Sequence, residues 1–208
     1  MAKYSYKFEN EVYRLYEDDQ LMRTPHEHPI IAETESLAQK LIQALERGED
    51  FTAGDSILTF HYTYCNLIAD YELDGLIADY IDCMNYDNLL SDAYLMFRQT
   101  SPVKQTIAVC LDNSAMEFFL PMNFHQLASV LTLYTIMHSW AMPYYVVNDL
   151  VAHKDEEGYA ALKEAFMRDI TECEATEFDI EPESAEYKRH IATLSKTIDL
   201  FVEYFTME

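Results

Sequence analysis

Chemistry in this 208-residue chain would have to come from a few groups of side chains, and the most compact is His26-Glu27-His28. Two imidazoles around a carboxylate would chelate a divalent ion if the fold brought His61 or Cys65 to them. Pro25 and Pro29 enclose the triplet, which favours an exposed loop, and two histidines without a second paired motif fall short of a metal signature. No metal and no cofactor is expected.

Carboxylates are the second group. The chain holds 37 Asp plus Glu against 14 Lys plus Arg, a formal net charge of −23. Between Arg47 and Arg98 there are ten acids and no base, including Asp70, Asp74, Asp79, Asp82, Asp87 and Asp92. Glu172, Glu174, Glu177, Asp179 and Glu181 belong to a second acidic stretch, residues 154–186, with twelve acids and three bases. In so acidic a chain close carboxylates arise by chance and carry little catalytic meaning. They suit a surface that repels nucleic acid and anionic lipid and attracts a basic partner, or one that simply keeps the protein soluble. The eleven named acids are the candidate partner-contact residues.

Other catalytic signatures are missing. Gly48, Gly54, Gly75 and Gly158 are the only glycines, so there is no phosphate-cradling loop and no dinucleotide fingerprint. No serine nucleophile elbow occurs, and no His stands near a Cys or Ser in a triad-like pattern. An enzyme is not expected. Cys65, Cys83, Cys110 and Cys173 form no C-x-x-C pair, and no apolar signal core follows the N-terminus, so a reducing cytoplasm is the expected location.

The elements that must position these residues follow from periodicity. A hydrophobic fraction of 50% and an aromatic fraction of 13% place the charge on a folded body rather than a disordered tail. Glu11-Val-Tyr-Arg-Leu-Tyr-Glu alternates as a strand, Asp18-Asp19 supplies a turn, Leu21-Met22-Arg23 follows, and Ile30-Ile31-Ala32 forms a further short strand. This predicts a small β-meander. From Thr34, a capping residue, Leu37, Ala38, Leu41, Ile42 and Leu45 form a helical stripe that Arg47-Gly48 stops. Residues 57–69 and 73–84 read as helices, although Phe60-His-Tyr-Thr-Tyr leaves a strand open. Residues 106–119 resemble a hairpin around Asp112-Asn113-Ser114 or a helix break.

Residues 118–148 contain no Asp, Glu, Lys or Arg. Pro121 and Pro143 bracket polar Asn123, His125, Gln126, His138 and Ser139, and no basic cluster flanks the run, so a buried core helix over about 123–140 is expected in place of a membrane span. A further helix is expected over 156–173. A last one, begun by Ser184, sets Tyr187, Ile191, Leu194, Ile198, Phe201 and Phe205 in a heptad seam; docking on the chain's own helices is favoured over a dimer contact. The expected class is α+β: a β-rich part over residues 1–33 and a predominantly helical domain over 34–208 packed against it.

Residues 13–90 carry landmarks of a known family. Tyr13-Arg-Leu-Tyr-Glu-Asp-Asp-Gln-Leu-Met-Arg-Thr-Pro is similar to a strand, acidic turn and Thr-Pro, and Pro29-Ile-Ile-Ala-Glu-Thr-Glu-Ser-Leu-Ala to an apolar pair leading into a helix. Gly48-Glu49-Asp50-Phe51-Thr52 before Leu58-Thr59, and Tyr80 followed by Asp87-Asn88-Leu89-Leu90, complete the order. In these features the chain resembles the assembly chaperones that hold the alpha subunit of ATP synthase before it joins the beta subunit. The chain departs from that pattern at Leu45, where a tryptophan is expected, at His138-Ser139 in place of Gly-Ser, and at the C-terminus, which has no counterpart to the family's acidic-glutamine and Trp-Gly element. No functional residue is therefore carried over.

The resemblance implies an α+β fold and a non-enzymatic protein-binding role with the alpha subunit as client. The alternative is an acidic inhibitor that imitates nucleic-acid phosphates: carboxylates at i and i+4, such as Asp70 and Asp74, would lie about 6 Å apart along a helix axis and meet arginines that normally contact phosphate. Both readings need a partner protein with a basic surface, and neither needs direct contact with nucleic acid or membrane.

Overall fold

The computed structural model describes residues 3–85, 114–137, 140–177 and 184–207. It opens with a strand, β1 (Tyr4–Glu9), that the expected meander omitted, although Tyr4, Tyr6 and Phe8 alternate with Ser5 and Lys7 at a strand's period of two. β1 pairs antiparallel with β2 (Val12–Glu17), Tyr4 opposite Glu17 and Glu9 opposite Val12. Glu11, expected to start a strand, belongs to the turn. Asn10 and Glu11 have φ of 52° and 68°, and Asp18 and Asp19 have 46° and 64°, so both two-residue hairpin loops place their central residues in the left-handed region that matches strand twist. The other edge of β2 pairs with both β3 (Gln20–Leu21) and β4 (Ile31–Ala32).

Helix α1 (Glu35–Glu46) starts where Thr34 accepts a hydrogen bond from the Leu37 amide at 3.2 Å. It ends in a paired closure, Gly48 N–H to Leu45 O at 2.9 Å and Glu49 N–H to Ala44 O at 3.1 Å, for which Gly48 takes a φ of 71°. Its buried face, Leu37, Ala38, Leu41 and Ala44, covers the sheet. α2 (Ile57–Asp70) and α3 (Leu73–Asn85) are helical, which settles the open strand alternative. Residues 114–119 form a short helix, α4 (Ser114–Phe119), so that half of the hairpin reading is corrected; residues 106–113 lie outside the described residues.

The uncharged run folds as α5 (Phe124–Met137), then α6 (Ala141–Tyr145), which continues as a π-helical turn, Val146–Val151. Asn123 and Gln126 cap α5 reciprocally, each side chain accepting from the other's amide at 3.0 and 2.9 Å. Pro143 does not end a helix here; it sits in the first turn of α6, where its missing N–H is tolerated. α7 (Tyr159–Glu177) and α8 (Ala185–Phe205) follow, the latter capped by Ser184.

The core centre is the α2–α5 pair, not α5 alone. α2 buries Phe60, His61, Tyr64, Cys65 and Leu67, and α5 buries Leu127, Val130 and Leu133. The seam of α8 docks intramolecularly: Leu194, Ile198, Phe201 and Phe205 are buried, and the helix packs on α5, the π turn, α2 and α7. Leu15, Ile30 and Ala32 of the sheet region join the same continuous cluster. Among the described residues no helix is long and apolar enough to cross a membrane.

Candidate functional site

Two polar regions stand out, one inside the core and one on its surface. The inner one centres on His61, which is fully buried. Its Nε2 stands 2.6 Å from the Ile31 carbonyl and its Nδ1 2.7 Å from the Tyr204 hydroxyl. Burial pushes the imidazole down to about 4, so it is neutral at physiological pH. The carbonyl can only accept, hence Nε2 carries the proton and donates to Ile31 while Nδ1 accepts from Tyr204. Burial likewise holds the Tyr204 hydroxyl well above its usual range, in the donor form. One side chain thus ties the sheet to α2 and α8.

Beside it the His125 ring stacks on Tyr64 with centroids 4.0 Å apart, and Nε2 lies 3.4 Å from Glu33 Oε2. Burial raises the Glu33 carboxyl, but the hydrogen bond and charge of His125 more than reverse that and leave it below its ordinary value. A small cavity of about 120 Å³ opens here between Glu33, Lys40, His125 and Met207. Glu33 occupies one ring nitrogen of His125, and the other is enclosed without a partner among the described residues. This cluster joins elements, and it was invisible in sequence because its members come from four separate segments.

His61 and Cys65 face the Ile31 carbonyl, Cys65 Sγ at 3.8 Å, and not the His26-Glu27-His28 loop. In that loop Thr24 Oγ1 accepts from the His26 and His28 amides at 3.3 Å each, and His28 Nε2 reaches Asp70 at 3.0 Å. Among the described residues no group of three His, Cys, Asp or Glu is placed to hold a metal ion.

The surface region is the α2–α3 corner. Ser56 starts α2 by accepting from the Leu58 amide, and α2 stops at Asp70, where Tyr71 turns to extended φ and ψ of −131° and 148°. Asp70 and Asp74 therefore lie on different helices, and Asp70 is engaged by His28, so the expected i, i+4 ladder does not exist. On α3, Leu76, Ile77, Tyr80 and Met84 face inward and Asp74, Asp79 and Asp82 outward. Asp87, Asp92, Asp179 and Glu181 lie outside the described residues; Glu172, Glu174 and Glu177 fall on the last turns of α7. Of the expected contact residues, the structure brings Asp74, Asp79 and Asp82 onto one helix, with Asp70 at its approach.

Sequence reasoning missed what lies beside those acids. A hollow of about 500 Å³ opens between α2, α3, α5 and Trp140, within the size range of ligand pockets. Tyr71, Tyr80, Tyr134 and Trp140 supply aromatic walls, and Asp79 stands among the lining residues. Tyr134 and Trp140 stack at 4.3 Å, and Tyr80 meets Trp140 at 5.4 Å. Tyr71 is 48% exposed at the corner. The available signal was Tyr71 and Tyr80 interleaved with the acids of α3; the contribution of α5 and Trp140 was not local.

The chain matches no protein-family model, no curated protein and no solved structure.

Proposed function

We propose that the protein is a non-enzymatic binding factor that holds a basic surface of another protein against the α2–α3 corner. The observation that carries this reading is the outward row Asp74, Asp79 and Asp82, next to exposed Tyr71, on a stretch with no Lys or Arg from Gly48 to Phe97. An uncompensated acidic face beside apolar area offers a cationic partner both long-range attraction and desolvated contact. The resemblance of residues 13–90 to the assembly chaperones of ATP synthase makes the alpha subunit the candidate client. Cys65 and Cys83, both unpaired, are compatible with a reducing cytoplasm as the place of work.

The test is co-expression with an ATP synthase alpha subunit, followed by co-purification from about 0.05 M to about 0.5 M salt, over which the screening length falls roughly three-fold. Retention at low salt, lost at high salt and in the triple variant Asp74→Asn/Asp79→Asn/Asp82→Asn, is the expected result. An alpha subunit that never co-purifies removes the client. One retained equally by the triple variant removes the corner. The phosphate-mimic reading has lost its Asp70–Asp74 spacing, and no other observation favours it.

A further inference from the structure

We infer that the free edge of β1 pairs antiparallel with β1 of a second copy of the chain, about a two-fold axis at Tyr6, so that two four-stranded sheets become one. This goes beyond the reading of the acidic corner and does not depend on it.

Among the described residues β1 pairs with β2 alone, in an unbroken register from Tyr4 to Glu9 with no bulge and no proline. The edge therefore lacks the usual guards against strand addition. Lys7, a charge that could serve as one, turns back across the sheet, 4.3 Å from the Tyr16 ring and 3.7 Å from Asp19. Phe8 is 63% exposed, more than any other large hydrophobic side chain among the described residues.

The hairpin fixes where each backbone group of β1 points. Asp18 donates its amide to the Lys3 carbonyl at 3.0 Å, and Glu9 opposite Val12 closes the two-residue loop. Bonded pairs alternate along an antiparallel ladder, so the amides and carbonyls of Ser5, Lys7 and Glu9 face β2, and those of Tyr4, Tyr6 and Phe8 face outward.

A second β1 centred on Tyr6 sets Tyr6 opposite Tyr6 and Tyr4 opposite Phe8, and every outward amide and carbonyl of these residues is then bonded. At the intervening positions, where side chains stand closer, Lys3 meets Glu9 and Ser5 meets Lys7. A slide of two residues one way sets Lys3 against Lys7 and strands Phe8; the other way, it sets Lys7 against Lys7 and strands Tyr4. A slide of one residue matches outward groups with inward ones. Hydrogen bonding and charge thus select the same register. A foreign strand could take up the backbone groups, but the complementary order of Lys3, Ser5, Lys7 and Glu9 belongs to β1 facing itself.

Charge and space also permit the approach. Residues 1–14 hold three bases and two acids in a chain of 14 bases and 37 acids, so two copies meet here with less of the repulsion that a net charge of −23 imposes. Tyr6 donates to Glu35 at 2.9 Å, which puts the aromatic face of β1 on the side of α1. Because α1 packs across β1, β2 and β4, strands about 4.8 Å apart leave the two α1 axes about 14 Å apart, more than a helix diameter. Tyr4, Tyr6 and Phe8 of both copies occupy the space between.

Sedimentation velocity of the full chain tests the pairing. So small an interface is weak, so the series runs from about 1 µM to about 500 µM, over which a reversible shift from monomer to dimer is expected. Phe8→Pro removes an outward amide and no bond to β2; it weakens the dimer by about ten-fold or more while far-UV circular dichroism stays native. Lys3→Glu or Glu9→Lys alone sets like charges opposite each other and weakens the dimer by about three-fold or more, and Lys3→Glu/Glu9→Lys together restores it. Lys3 and Glu9 are about 20 Å apart along one strand, so that rescue arises only between copies. The charge variants carry the test by themselves if Phe8→Pro fails to fold. A chain that stays monomeric throughout overturns the proposal, as does a dimer that survives Phe8→Pro or single charge variants that the double does not rescue. A monomer that captures a foreign extended peptide, lost in Phe8→Pro, assigns the edge to another protein and overturns self-pairing.

Discussion

Replacing His61 by Gln tests the inner cluster through the pH dependence of stability. Above pH ~6.5 the imidazole is neutral in native and unfolded chains alike and adds no pH dependence. Below that, the unfolded chain binds a proton that the native protein refuses until about 4, so stability falls as pH falls through this window. Each pH step of one inside it removes about 1.4 kcal/mol, hence ~2 kcal/mol between pH 6.5 and about pH 5, and ~3 kcal/mol to the end of the window. Near the sequence pI of 4.4 the protein loses its net charge, so the series stops at about pH 5.

Asp149 acts in the opposite sense. Burial pushes its carboxyl up to about 6, and in the pH range between its unfolded value and 6 the native state gains stability as pH falls. The total for the wild type is therefore not diagnostic, but the difference between wild type and His61→Gln is, because Asp149 is common to both. Urea unfolding followed by far-UV circular dichroism, from about pH 7.5 to about pH 5, measures it. At the upper end the variant is less stable by ~2 to 4 kcal/mol, from the disturbed bonds to Ile31 and Tyr204. At the lower end the gap has closed by ~2 kcal/mol. A gap that stays constant refutes the buried neutral histidine and its assigned tautomer.

Three further outcomes are expected. Glu11→Gly stabilises the protein by ~1 kcal/mol in chemical denaturation, since Glu11 is held at a φ of 68° in a hairpin loop that glycine enters without penalty. Asp149→Asn raises stability by ~1 to 2 kcal/mol at pH 7 to 8 and by progressively less toward pH 4, because the amide removes the expense of ionising a buried carboxyl; calorimetric melting temperatures at the two ends report it. In Cys110→Ser/Cys173→Ser protein one thiol, Cys83, reacts in the native state and a second, Cys65, reacts only after denaturant is added, because burial pushes the Cys65 thiol up to about 12. Equal reactivity of both in native protein would contradict the packing of α2 against the sheet.

What the residues determined alone is whatever depends on neighbours within a turn or two. Thr34 and Ser184 announced helix starts because capping is decided by an oxygen two or three residues from the amide it receives. The heptad seam of α8 identified its buried face, since side chains three and four apart share a side of a helix whatever they pack against. The same periodicity was present in Tyr4, Tyr6 and Phe8, where the strand went unread. The excess of carboxylates was likewise fixed by composition.

Tertiary structure decided which faces meet. It set His28 against Asp70 and so took Asp70 out of the acidic row, whereas the break between the helices of residues 57–69 and 73–84 was already legible in the sequence. It carried Tyr204 across 143 residues to His61, turning a suspected metal ligand into a buried neutral tie. It also set Tyr134 and Trp140 opposite Tyr80 beside Asp79, making a hollow from an acidic helix that looked merely solvated. Local pattern specifies the period and ends of each element, whereas the choice of partner belongs to contacts between segments far apart in the chain, formed only when all the apolar faces are buried together.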